Sequence, residues 1–119
     1  MLRREEESSG LSAPRLSALS VIVFSGPISL AELAAAEQVR PPTMTRLVEA
    51  LVQDSLVTRT VDERDRRVVR ISATEAGKLI LEEGRRRRVE ALTRRLGGLA
   101  DSEMRALLRG VELLERVIR

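Results

Sequence analysis

The chain has 119 residues, 43% hydrophobic and 33% charged, a composition and length that describe one globular domain with its own core. It contains no Cys and no His, which removes thiol nucleophiles, disulfides, imidazole bases and the usual transition-metal ligands. The net charge is only +3 and Phe24 is the single aromatic, so no base-stacking platform is available, and without a signal peptide or bilayer-length apolar run a soluble, cytoplasmic protein is expected.

The first residues are polar and close on Ser8-Ser9-Gly10, which reads as the end of a helix and a turn. Ser12 then stands as an N-cap with Pro14 in the first turn. Leu16, Leu19 and Ile22 or Val23 have the spacing of an inward helical face. Gly26-Pro27 ends that helix, and Ile28 suffices for a very short strand. Ser29 with Glu32 three residues on is a capping-box pattern for a second helix, Leu30 to about Glu37. Its small residues, Ala31, Ala34, Ala35 and Ala36, allow another helix to approach closely. Val39-Arg40 makes a tight turn, and Pro41-Pro42 opens a third helix through about Asp54. Met44, Leu47, Val48 and Leu51 form its inward face; Thr43, Thr45, Arg46 and Glu49 fall largely on the other side. Leu56 to Val61 alternates as a strand does, and Val69, Ile71 and Ala73 alternate again. Between them lies a tip of mixed charge, Asp62-Glu63-Arg64-Asp65-Arg66-Arg67.

Thr74 caps a long helix through about Leu96. Ala76, Leu79 and Ile80 share one side of it; Val89, Leu92, Leu96 and Leu99 share another, roughly half a turn away at about 100° per residue. A straight helix with two buried faces serves two cores, here its own domain and a dimer interface. Gly97-Gly98 ends it, and Asp101 or Ser102 caps a last helix. Met104, Leu107, Leu108, Val111, Leu114, Val117 and Ile118 form one stripe on that helix, which calls for a partner subunit.

Helix, tight turn, helix and hairpin is the order of a winged helix-turn-helix. The segment Ser29 to Gly77 resembles the MarR-type family of bacterial transcriptional regulators. The residues that carry the resemblance are Leu56-Val57-Thr58-Arg59 entering the wing, Asp62-Glu63-Arg64-Asp65-Arg66-Arg67 in it, and Ala73-Thr74-Glu75-Ala76-Gly77 opening the long helix. They match the family's apolar-Val-x-Arg, Asp-x-x-Asp-x-Arg and Leu-Thr-x-x-Gly patterns in spacing and order. The resemblance covers most of the chain. There are two departures. Ser55 stands where the family usually has Gly, and the helix that usually precedes Ser12 is reduced to about a last turn around Leu2-Arg3-Arg4. The expected class is mainly α with a small β-hairpin wing. Residues 1–11 are a remnant of the N-terminal dimerisation helix, 12–76 the DNA-binding domain and 77–119 dimerisation helices.

The resemblance implies a homodimeric, sequence-specific regulator, most often a repressor, on a near-palindromic operator in duplex DNA. The third helix is then the recognition helix, with Arg40, Pro41, Pro42 and Thr43 at its N-terminal end and Thr45 and Arg46 following. Arg46 is the first candidate for guanine, whereas Thr43 either meets DNA or caps the helix. The wing tip lies at the minor groove, whose potential attracts Arg64, Arg66 and Arg67. Asp62 and Asp65 pair with Arg64 or Arg67 and so orient the tip. A small aromatic acid or phenol is the implied effector, in a crevice between the wing domain and the dimer helices, with Arg15, Leu19 and Phe24 nearest. The run Arg85-Arg86-Arg87-Arg88 reads as a solvated segment partnered by Glu82, Glu83 and Glu90, since four successive helical residues cannot all face DNA. No cofactor, metal, membrane contact or catalysis is expected. The rival reading is a winged-helix module that binds protein.

Overall fold

In a computed structural model, described over residues 10–119, five helices and three strands follow in the order α1 (Ala13–Ser25), β1 (Ile28–Ser29), α2 (Leu30–Glu37), α3 (Pro41–Gln53), β2 (Val57–Val61), β3 (Val69–Ala73), α4 (Glu75–Leu96) and α5 (Asp101–Ile118). The expected N-terminal remnant lies outside the described residues except for Gly10 and Leu11. The described residues form two compact units, divided within α4 between Arg86 and Arg87.

In the first unit the sheet has the order β1-β3-β2, antiparallel throughout. Val57 faces Ala73 and Val61 faces Val69 across the hairpin, while Ile28 and Ser29 of β1 face Ile71 and Arg70. The sheet seats Val57 and Ile71 in a core completed by Ala18, Leu19 and Ile22 of α1, Leu33 and Ala34 of α2, and Met44, Val48 and Leu51 of α3. Each large apolar side chain so buried contributes about 1.5–3 kcal/mol. The expected inward faces of α1 and α3 are thus present, with Leu16 and Leu47 partly buried at their margins. On α2 only Ala34 of the four alanines is buried; Ala31, Ala35 and Ala36 are exposed, because Leu33 and Ala34 supply the packed face of so short a helix.

The start of α4 packs through glycine rather than through the expected Ala76 and Leu79. Gly77 and Gly84 are buried, Ile80 and Leu81 lie against the core, and Ala76 and Leu79 are exposed. A Cβ on Gly77 would strike the Leu56 carbonyl oxygen and press on Leu19 Cδ1, so the helix meets the end of α3 and β2 at backbone distance. Thr74 fixes this junction: its N–H donates to the Leu56 carbonyl at 3.0 Å, its hydroxyl donates to the Ser55 carbonyl at 2.7 Å, and its oxygen accepts the Gly77 N–H at 3.1 Å. Ser55 itself takes φ of 60°, so the left-handed turn usually made by glycine is kept at the cost of a side chain in that region.

Two expected caps differ. Ser12 occupies the N-cap position of α1 but makes no side-chain capping bond. The N-cap position of α5 is Ala100, not Asp101 or Ser102; Glu103 reaches back to its N–H at 2.9 Å. In the second unit α5 buries none of its residues. Leu107, Leu108, Val111, Leu114, Val117 and Ile118 are all exposed, as are Val89, Leu92 and Leu99.

Candidate nucleic-acid interface

Ser29 builds the entry to the helix-turn-helix. Its hydroxyl accepts the Glu32 N–H at 3.1 Å, and Glu32 accepts the Ser29 N–H at 3.4 Å, the reciprocal box that the spacing predicts. Gln38 ends α2 with φ of 55°, and the Val39 N–H returns to the Ala34 carbonyl at 2.9 Å. This αL residue lets α3 leave in a new direction. Ser17 Oγ donates to Glu37 at 2.6 Å and ties α1 to the end of α2.

The opening of α3 is unusual for an anion-binding helix end. Arg40 is at the N-cap position without a side-chain cap bond, and Pro41 and Pro42 take the first two helical positions. Neither proline has an N–H. Met44 already bonds the Arg40 carbonyl at 3.0 Å, which leaves the Thr43 amide as the one open donor of the first turn. Thr43 is the third helical residue and makes no cap, which removes one of its two expected roles. Few backbone amides are therefore open to an anion at this helix end.

Thr45 does not sit with Arg46. It is half-buried, its hydroxyl donates to the Pro41 carbonyl at 3.0 Å, and it lines a cavity of about 150 Å³ with Leu30, Val48, Arg59, Val69 and Ile71. Helical spacing explains this: Thr45 is about 100° from Arg46 and turned toward the sheet. The exposed stripe of α3 is instead Pro42, Arg46, Glu49 and Gln53, with Thr43 and Pro41 beside it.

The wing is pinned by two aspartates with different partners. Asp62 Oδ1 accepts the N–H groups of Arg64 at 2.7 Å and Asp65 at 3.1 Å, folding the chain into a turn. Its Oδ2 accepts Arg70 Nε at 3.1 Å. Arg70 also donates through Nη1 to Glu32 Oε1 at 2.9 Å. Asp65 accepts the Arg67 N–H at 3.1 Å and grips its guanidinium with both oxygens, at 3.0 and 3.2 Å. The expected pairing therefore holds for Asp65 and Arg67 but not for Asp62, whose cation is Arg70. The cause is register: Arg70 faces Ser29 of β1, which brings it beside the first turn of α2.

The charges reflect these bonds. Backbone N–H groups of Asp65 and Arg64, then Arg70, hold the Asp62 carboxyl below its ordinary value. The Arg67 side chain does the same to Asp65, and the Ser29 hydroxyl and N–H to Glu32. Asp62 in turn raises Arg70. Arg64 and Arg66 are exposed and their guanidinium groups have no partner among the described residues. The tip is thus held by its two aspartates and presents two unengaged cations, with the exposed Glu63 beside them.

The residues expected near an effector are not brought together. Leu19 is a core residue with 0% exposure, and Phe24 is 82% exposed. Arg15 and Phe24 are nine residues apart on α1 and so point in opposite directions. In the Arg85–Arg88 run, Arg85 pairs with Glu82 at 3.4 Å and Arg86 with Glu83 at 2.9 Å, as a solvated segment does. The sequence reading placed Glu49 on the outward side of α3 with Arg46, as found, but missed Arg70 as a link between wing and α2. Arg70 left no signal of this role, since it occupies an ordinary polar position in the alternation of Val69, Ile71 and Ala73.

A tri-helical core, a left-handed turn into an exposed helix and a pinned hairpin define a winged helix-turn-helix protein. Residues 11–69 match the model of the MarR family. The chain is 36% identical over 113 residues to the HTH-type transcriptional regulator Mb0904 of Mycobacterium bovis, covering 95% of this chain and 79% of that one. The transcriptional regulator Tm0710 of Thermotoga maritima has a similar fold, with a TM-score of 0.87 at 28% identity over 98% of this chain and 82% of that one. The MepR–DNA complex of S. aureus shares the fold at a TM-score of 0.80 and 18% identity, over 99% of this chain and 89% of that one. The chain belongs to the MarR family of helix-turn-helix transcriptional regulators.

Proposed function

We propose that the chain binds duplex DNA sequence-specifically as a homodimer and represses transcription in the cytoplasm from a near-palindromic operator. Arg46 on α3 reads a base edge in the major groove, Arg40 and Thr43 meet phosphate beside it, and Arg64 and Arg66 enter the minor groove. The observation that carries this reading is the pairing of an exposed arginine on α3 with unengaged arginines on a wing whose two aspartates are already committed. MepR, solved on DNA with the same fold, supports it. The unburied apolar stripe of α5 supports the dimer. A small aromatic acid or phenol is the effector class; α1 supplies no assembled site for it, so this part rests on the family alone. Regulation, not catalysis, is the role assigned.

The test is binding of the intact chain to selected and random duplexes over a range of salt, with its mass measured by sedimentation. Steep loss of affinity with salt and preference for the selected duplex are expected of a dimer. A folded chain that binds no DNA at low salt would be a protein-interaction module instead.

A further inference from the structure

Glu49 is exposed on α3 and has no hydrogen-bond or ion-pair partner among the described residues. It follows Arg46 by three residues, about 60° around the helix and about 4.5 Å along it. No ion pair joins the two, although the spacing would allow one. An unengaged carboxylate on the stripe that faces DNA repels phosphate and weakens binding to every sequence. A donor on the DNA opposite it would offset that cost.

The major groove has only two kinds of donor, the N4 amino group of cytosine and the N6 amino group of adenine. Adenine carries an acceptor, N7, beside its amino group, which opposes the second carboxylate oxygen. Cytosine carries none. Guanine and thymine present acceptors that a carboxylate cannot approach without loss. The axial offset of about 4.5 Å compares with about 3.4 Å per base pair, so the readers fall on the same or adjacent pairs.

We propose that Glu49 is a specificity-determining residue that accepts from a cytosine amino group next to the guanine taken by Arg46, and excludes guanine and thymine from that position. This rests on α3 being the recognition helix. A merely solvated acid would change overall affinity but not base choice at one position.

The experiment selects bound duplexes from a random pool with the wild-type chain, Arg46→Ala, Glu49→Ala and Glu49→Gln. The expected wild-type motif has a cytosine adjacent to the guanine whose preference Arg46→Ala abolishes. Glu49→Ala loses preference at the cytosine by about fivefold or more while keeping the other positions, and binds random duplex more tightly. Glu49→Gln shifts the choice toward adenine, which an amide reads with two bonds. A Glu49→Ala motif unchanged at every position overturns the proposal and leaves the DNA-binding reading standing. A wild-type chain that enriches no motif overturns both.

Discussion

Arg70 on β3 donates to Asp62 at 3.1 Å and to Glu32 at 2.9 Å, so one guanidinium joins the base of the wing to the first turn of α2. We propose that both acids act by setting where the wing stands. Each contact is open to solvent and weak, too weak to decide the fold. Their effect should appear in orientation. Asp62→Ala removes a negative charge, so simple electrostatics predicts tighter binding. Loss of the turn and of Arg70 predicts the opposite for the specific site. We expect weaker specific binding and unchanged or tighter non-specific binding, read by titrating both duplexes. Arg70→Met should repeat the specific loss with no DNA contact removed. Tighter specific binding by Asp62→Ala would refute this account of the wing.

The same acids fix a pH dependence. Asp62 and Asp65 lie below their ordinary value of 3.8 and Glu32 below 4.5 when the wing is formed. A displaced wing would bind more protons in the window between lowered and ordinary values, so wing stability rises with pH through that window. It is fully present above the ordinary values and is lost as pH falls through the lowered ones. With no His or Cys in the chain, specific affinity should stay nearly flat from about pH 8 to about pH 5. Amide exchange of residues 62–70, followed downward from pH 5, checks the lower limb.

Two glycines should respond in opposite directions. Gly77→Ala sets a methyl against the Leu56 carbonyl and Leu19, and should destabilise the chain by about 1–3 kcal/mol. Gly110 lies inside α5 with nothing within 4 Å of an added Cβ, and Gly110→Ala should stabilise by about 0.5–1 kcal/mol. Thermal melts of the two variants read the signs directly.

Much of this was legible from residue order. Helix periodicity, the Ser29–Glu32 box, the paired prolines and the hairpin alternation located every described element within a residue or two. Apart from the two helix caps, the misses share a physical origin. Gly77 and Gly84 replace Ala76 and Leu79 on the packed face because close approach is a tertiary demand that apolar periodicity does not encode. Thr45 turns to the sheet, and Arg70 finds Glu32 38 residues away, for the same reason. Asp65 and Arg67, two residues apart, are local, and their pairing was legible.

The apolar face of α5 yields a further prediction. Leu108 and Leu114 are exposed on a helix that buries nothing. Leu114→Glu should convert dimer to monomer and reduce operator affinity, while helical content by circular dichroism is retained. Sedimentation of wild type and variant at matched concentration decides it; equal mass for both would remove α5 from the interface.

Arg66 and Arg67 separate within the wing. Arg66 is unengaged, whereas Arg67 is gripped by Asp65. Arg66→Ala should weaken binding evenly across sequences and flatten the salt slope by about one unit. Arg67→Ala should also loosen the tip, and so cost more on the specific duplex than on a random one.

The central claim is that α3 reads bases through Arg46 while the wing supplies sequence-independent attraction. It is tested most directly by titrating wild type and Arg46→Ala against the selected and a random duplex between about 50 and 200 mM salt. The account predicts that Arg46→Ala loses about 1–3 kcal/mol on the selected duplex, with a much smaller loss on the random one, so that preference collapses. An equal loss on both duplexes, or a wild-type chain that does not distinguish them, would contradict it.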